Sequence, residues 1–189
     1  MQDQSGETRP CDLIRIAPVL CGIKAAELIK LDEKKVRRFL RCIRPLRLRR
    51  LRIRGGCGLY LVYDPALLDE ALSGPLAKQI LCMYGYPVPA ERAAMLDALS
   101  FRFRACEFPH EIGLFLGYPP GDVRAFIQSG GRDCLLSGYW KVYDDVDGAR
   151  EIFDRIDAAR TAAITCIQAS QTTAQAVLAI KTYGKAVPI

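Results

Sequence analysis

Close cysteine pairs are missing from this chain. Its eight cysteines, at positions 11, 21, 42, 57, 82, 106, 134 and 166, are spread almost evenly, and none forms a CxxC. Zinc and iron–sulfur centres set half their ligand shell from such pairs, and only one histidine, His110, is present to help. A local metal knuckle is excluded, no metal ligands are expected, and no cofactor is specified. Nor does any stretch approach the roughly 18 consecutive apolar residues of a membrane helix. The opening MQDQSGETRPCD has no apolar core behind a basic flank, so no secretory signal is expected. A disulfide framework is then not expected either, and the cysteines read as small buried hydrophobes in a reducing cytoplasm. The glycine patterns that cradle phosphates, GxGxxG and GxxxxGK[ST], are absent. Acids are missing from one place in particular. Lys34 to Arg54 carries eleven basic residues and no Asp or Glu, so without it the net charge of +6 becomes −5.

What is present suits a globular protein. Half of the 189 residues are apolar and a quarter charged, enough for one domain that buries roughly 70% of its unfolded surface. Leu13–Ile16 reads as a short strand or entry segment, and Pro18 as the first turn of a helix running from Val19 to Leu31. Asp32 would cap a second helix, 33–43, which Pro45 stops. Leu46–Arg54 and Leu59–Tyr63 flank Gly55-Gly56-Cys57-Gly58 as a β-hairpin, with a bulge marked by Arg49-Arg50. Its second strand is almost wholly apolar and belongs inside the sheet. Helices then open at Pro65, Pro75, Ala90, Pro109 and Pro120, the one after Pro109 covering His110 to Leu116. Ser137–Tyr143 reads as a third strand, with Tyr139, Lys141 and Tyr143 on one face and Trp140 and Val142 on the other. Asp144 or Asp145 caps a long final helix reaching about Ser170.

These elements predict a single α+β domain: a small mixed sheet of three to four strands, about seven helices, and a long C-terminal helix. Residues 1–12 would be a flexible leader, 13–170 the domain, and 171–189 a helical extension or docked tail.

The segments FPHEIGLFLGYPPGDVRAFI (108–127) and SGYWKVY (137–143) resemble a bacterial, anaerobe-associated family filed as a domain of unknown function, DUF3793. APVLCGIKAAELIKL (17–31), LYLVYDPALLDEAL (59–72) and YGYP (84–87) extend the likeness over most of residues 16–157. The resemblance implies membership but carries no activity to transfer. The arginine crowding from Arg44 to Arg54 departs from that pattern.

Several residues are candidates for a site. His110 and Glu111 fall in the first turn of a short helix, whose dipole favours a carboxylate and a neutral imidazole, a potential general base. The plainer alternative is a packed histidine beside an ordinary first-turn acid. Cys21, placed in the first turns of the helix after Pro18, would gain thiolate character and act as a nucleophile if His110 were near. The plainer alternative is a small buried residue. Lys141, between Tyr139 and Tyr143, can present its ammonium to an anion, or simply lie on the surface. The turn Gly117–Asp122 reads as a helix cap rather than an anion site.

The leading expectation is a cytoplasmic domain that binds a small ligand or a partner protein. Its pocket would lie between the 109–116 helix and the 139–143 strand. His110, Glu111 and Lys141 would make the polar contacts, and Tyr118 and Tyr139 the wall. The alternatives are an enzyme using His110 as base and Cys21 as nucleophile, or a nucleic-acid module using the basic segment 34–54. That segment also suits an acidic protein partner.

Overall fold

The computed structural model describes residues 9–105 and 108–186. Its main sheet contains β1 (Ala26–Asp32), β2 (Arg47–Arg54) and β3 (Cys57–Tyr63), in the order β1-β3-β2 and antiparallel throughout. The central place of β3 follows from its sequence. Leu61 packs into one apolar core and Tyr60 and Val62 into another, so both faces are covered and the strand reads as a continuous apolar run.

On the Leu61 face lie α3 (Pro65–Ser73), α4 (Pro75–Met83), α5 (Arg92–Ala105), α6 (Ile112–Phe115) and α7 (Pro120–Ser129). The other face holds α1 (Pro10–Leu20), α2 (Val36–Ile43), α8 (Val146–Gln168) and α9 (Thr173–Ala186). The molecule is a single α+β domain with a long C-terminal helix. Asp64 caps α3 by accepting the N–H groups of Ala66 and Leu67, and Asp145 caps α8 by accepting that of Gly148.

The amino-terminal third differs from the sequence expectation. Leu13–Ile16 is helical, because Pro10 rather than Pro18 takes the first turn of α1. Pro18 sits near the end of that helix. Gly22 follows with φ +76°, a left-handed conformation that ends the helix after the Cys21 C-cap. Residues expected to be helical, 26–31, instead form β1. Their apolar side chains divide between the two cores, Ala26 and Leu28 to one and Ile29 and Leu31 to the other. Asp32 does not cap α2; it accepts the Lys34 N–H just before it. Residues 1–8, part of the expected leader, lie outside the described residues.

Ser137–Tyr143 is also not a single strand. It folds back as a hairpin of two short strands, β4 (Leu136–Ser137) and β5 (Lys141–Val142), joined through Gly138–Trp140. Two-residue strands have little stability of their own, so the hairpin needs anchors. One is Asp122, in the first turn of α7. Its Oδ2 accepts the Trp140 indole N–H and its Oδ1 the Tyr143 main-chain N–H, each at 2.8 Å. Stacking supplies the other: Trp140 lies 5.1 Å from the Tyr118 ring and 4.6 Å, edge to face, from Phe153 of α8.

Asp122→Ala strands a buried indole N–H and a main-chain N–H. We expect it to cost about 3 kcal/mol. Denaturant unfolding followed by Trp140 emission would show a lower midpoint and a red-shifted native spectrum. An unchanged midpoint and spectrum would mean that the hairpin is held in place by other contacts.

Candidate functional site

The hairpin closes one side of a cavity of about 370 Å³, with α6 and α7 opposite. Its walls are largely ring and aliphatic surface, from Phe108, Tyr118, Phe126, Trp140, Ile112 and Val123. Three local features create the space. Gly117 adopts φ +80° and passes so near β1 that a Cβ there would lie 3.1 Å from Ala25, which brings the α6–α7 corner down on the sheet. Pro119 and Pro120 then start α7 at once. Asp122, on that first turn, draws the hairpin in.

The polar groups facing the cavity differ in how far they are engaged. Asp122 is already bonded to Trp140 and Tyr143. Lys141, from β5, donates one ammonium proton to the Gly131 carbonyl, leaving two donors. His110 is exposed, with its ring 5.2 Å from Phe126 and 6.4 Å from Phe108. Among the described residues its ring nitrogens make no hydrogen bond. The Tyr118 hydroxyl titrates well above its ordinary range because of burial, with the charge of Glu27 adding to the effect. The ammonium of Lys24 lies 5.4 Å from the same ring and is paired with Glu27 at 2.8 Å.

The structure therefore brings His110, Tyr118 and Lys141 to one cavity. It separates the other three sequence candidates from it. Glu111, 1% exposed, turns inward, where Oε1 accepts from Arg102 of α5 at 2.7 Å and from the Tyr86 hydroxyl at 3.2 Å. Its Oε2 has no hydrogen-bond partner among the described residues. Glu111 is thus an internal anchor between α5 and α6 rather than a ligand contact.

Tyr139 occupies the hairpin turn and faces α8. Its hydroxyl donates to Asp157 and accepts from Arg160 at 3.1 Å, and that guanidinium covers its ring at 4.6 Å. Because the strand folds into a hairpin, Tyr139 does not share a wall with Lys141; Trp140 takes that place.

Cys21 belongs to the opposite core. It is the C-cap of α1, not a residue of a helix N-terminus, and its thiol lies 3.5 Å from the Ile180 carbonyl beneath α9. Burial pushes the thiol up to about 11, with Cys166 adding to the rise. The helix-dipole activation expected for this sulfur is absent, and the cavity that holds His110 does not include it. A Cys21–His110 nucleophilic pair is not supported by this geometry.

A larger depression, about 760 Å³, lies between α3, α4 and the start of α5. It carries Lys78, Glu91 and the Asp69–Arg92 ion pair, charges of both signs with no aromatic enclosure beyond Tyr63. The smaller cavity is the stronger candidate, because its walls are mostly ring and aliphatic surface and few polar groups face it. Among the described residues, no three His, Cys, Asp or Glu side chains gather as a metal site, and no helix is long and apolar enough to cross a membrane.

The family model for a protein of unknown function, DUF3793, matches residues 13–177, most of the chain. The chain belongs to this family. No curated protein and no solved structure matches it. The DUF3793 match includes every residue that lines the cavity, along with the Asp122 anchor.

Several contributors escaped the sequence reading, among them Asp122, Phe108, Phe126 and Trp140, the last of which it set on the face opposite Lys141. For Asp122 only half a signal existed. A buried tryptophan needs an acceptor for its N–H, but Asp133, Asp144, Asp145 and Asp147 all stand nearer to Trp140 in sequence, so nothing singled out Asp122.

The raised Cys21 titration gives a direct test. The thiol stays protonated, and so unreactive, through pH 8. Alkylation with iodoacetamide at that pH, mapped by mass spectrometry, should modify exposed Cys11, Cys57 and Cys82 and spare Cys21 until denaturant is added. Native labelling of Cys21 at rates matching the exposed thiols would restore it as a nucleophile.

Proposed function

We propose that this protein binds a small planar ligand carrying an anionic group, in the cavity between α6, α7 and the β4–β5 hairpin. The observation that carries this reading is the combination of aromatic walls with two cationic or neutral donors, Lys141 and His110, facing one space. Its volume of about 370 Å³ falls in the range of small-molecule sites, and such sites orient a ligand with few polar groups in an apolar frame. Ring faces at Phe126 and Trp140 favour a flat molecule. The two unused ammonium protons of Lys141 favour a carboxylate, sulfonate or phosphate at one end. His110, with unengaged ring nitrogens, supplies a second hydrogen bond, and it is the one group here suited to proton transfer.

Anilinonaphthalene sulfonate has this chemistry and serves as the probe. It should bind saturably, one per chain, and quench Trp140, the only tryptophan. Lys141→Ala should weaken it about tenfold, the equivalent of one charge-assisted hydrogen bond. His110→Ala should weaken it less, and neutral phenylnaphthylamine should be insensitive to the lysine change. Binding that leaves Trp140 emission untouched, or that ignores Lys141→Ala, would overturn the proposal.

A further inference from the structure

The second charged feature of the molecule lies between β2 and α5 and depends on a register shift. Along β2 the pairing to β3 slips between Arg50 and Arg52. Before the slip, Arg49 stands opposite Leu61; after it, Arg52 stands opposite Leu59 and Arg54 opposite Cys57. Residues directly opposite in an antiparallel pair share a face, so Arg49, Arg52 and Arg54 all project on the Leu61 side, toward α5. With unbroken two-residue alternation, Arg52 and Arg54 would have faced the other way. The bulge collects guanidinium groups that the sequence spacing alone would divide.

Those groups border a groove of about 690 Å³ between β2 and α5, completed by Arg104 of the helix. Five arginines line it and no acid does. Arg49 is held by the Ser100 hydroxyl at 2.9 Å and by Asp97. The Arg52 guanidinium lies 6.0 Å from the Phe103 ring centre. Arg54 and Arg104 are exposed and form no ion pair among the described residues.

We propose that this groove binds an extended single strand of nucleic acid through its phosphodiester backbone. Guanidinium forks suit phosphate oxygens, and Arg52 and Arg54, two residues apart on a strand, repeat at roughly 6.6 Å. That repeat is comparable to the separation of successive phosphates in an extended strand. A peptide adding to the edge of β2 fits less well. Strand addition needs open main-chain groups, whereas the Arg50 carbonyl lies 3.1 Å from the Ser100 hydroxyl and α5 packs beside the strand. Base stacking contributes nothing, since Phe103, the one aromatic in the groove, is buried. Binding is therefore indifferent to base sequence.

The test is fluorescence anisotropy of labelled oligothymidylate across a salt series. Affinity should fall linearly on a log–log plot. Arg54→Gln with Arg104→Gln should weaken binding and remove about 1.4 from the slope, two phosphate contacts at about 0.7 each. The melting temperature should match that of the parent. As a control for bulk charge, Arg37→Gln with Arg38→Gln on exposed α2 should leave the slope unchanged. The proposal fails if no binding appears at low salt, if the groove pair has no effect, or if the α2 pair has an equal one. It also fails if polyglutamate displaces the strand as well as unlabelled oligothymidylate does, which would indicate an acidic protein partner. Tighter binding of a duplex of equal length would equally overturn it.

Discussion

One carboxylate holds the pocket together. Asp122 is fixed by α7, which begins at Pro120, and its two oxygens accept hydrogen bonds from the residues on either side of β5, the Trp140 indole N–H and the Tyr143 main-chain N–H. Hydrogen bonds to a charged, buried acceptor are among the stronger ones, worth about 1.5–3 kcal/mol each. The hairpin they secure has strands too short to persist alone. Without that attachment, Trp140 would leave Tyr118, and the side of the cavity that carries Lys141 would open. Pocket geometry therefore rests on a residue that an approaching ligand finds already engaged.

The legibility of the fold in the sequence followed the covalent punctuation. Prolines at 65, 75 and 120 open helices, Asp64 caps the first of these and Asp145 caps α8, and the Gly55-Gly56 turn joins β2 to β3. The central placement of β3 was readable from its unbroken apolar run. Helix-like spacing misled at 19–31, because the apolar residues of β1 divide between two cores, so that Leu28, Ile29 and Leu31 carry no clean period of two and fit a helical spacing as well. Proline was ambiguous there too: Pro10 and Pro18 lie in one helix, and only Pro10 starts it.

Within the site, proximity was partly readable and orientation was not. The two glycine-punctuated aromatic motifs do meet, which brings His110, Tyr118 and Lys141 to one space. Glu111 and Tyr139 neighbour these residues in sequence yet point elsewhere, one inward to Arg102 and the other to Arg160. Alternation along an assumed strand could not anticipate a turn at Gly138–Trp140, and that turn exchanges the roles of Tyr139 and Trp140. Cys21 was misplaced for a related reason. Moving the helix boundary by a few residues turns an activating N-terminus into a C-cap and converts a candidate thiolate into a buried thiol. The arginines of β2 show the same dependence, since one bulge decides which face they share.

The indole proton of Trp140 reports most directly on whether Asp122 secures this architecture. With a single tryptophan, its resonance in a proton–nitrogen NMR spectrum is unambiguous. Transferred to deuterated water, the native protein should keep that signal as long as its most protected core amides. Exchange at the rate of a free indole would contradict the central claim, because the hairpin would then be resting against α7 rather than bound to it.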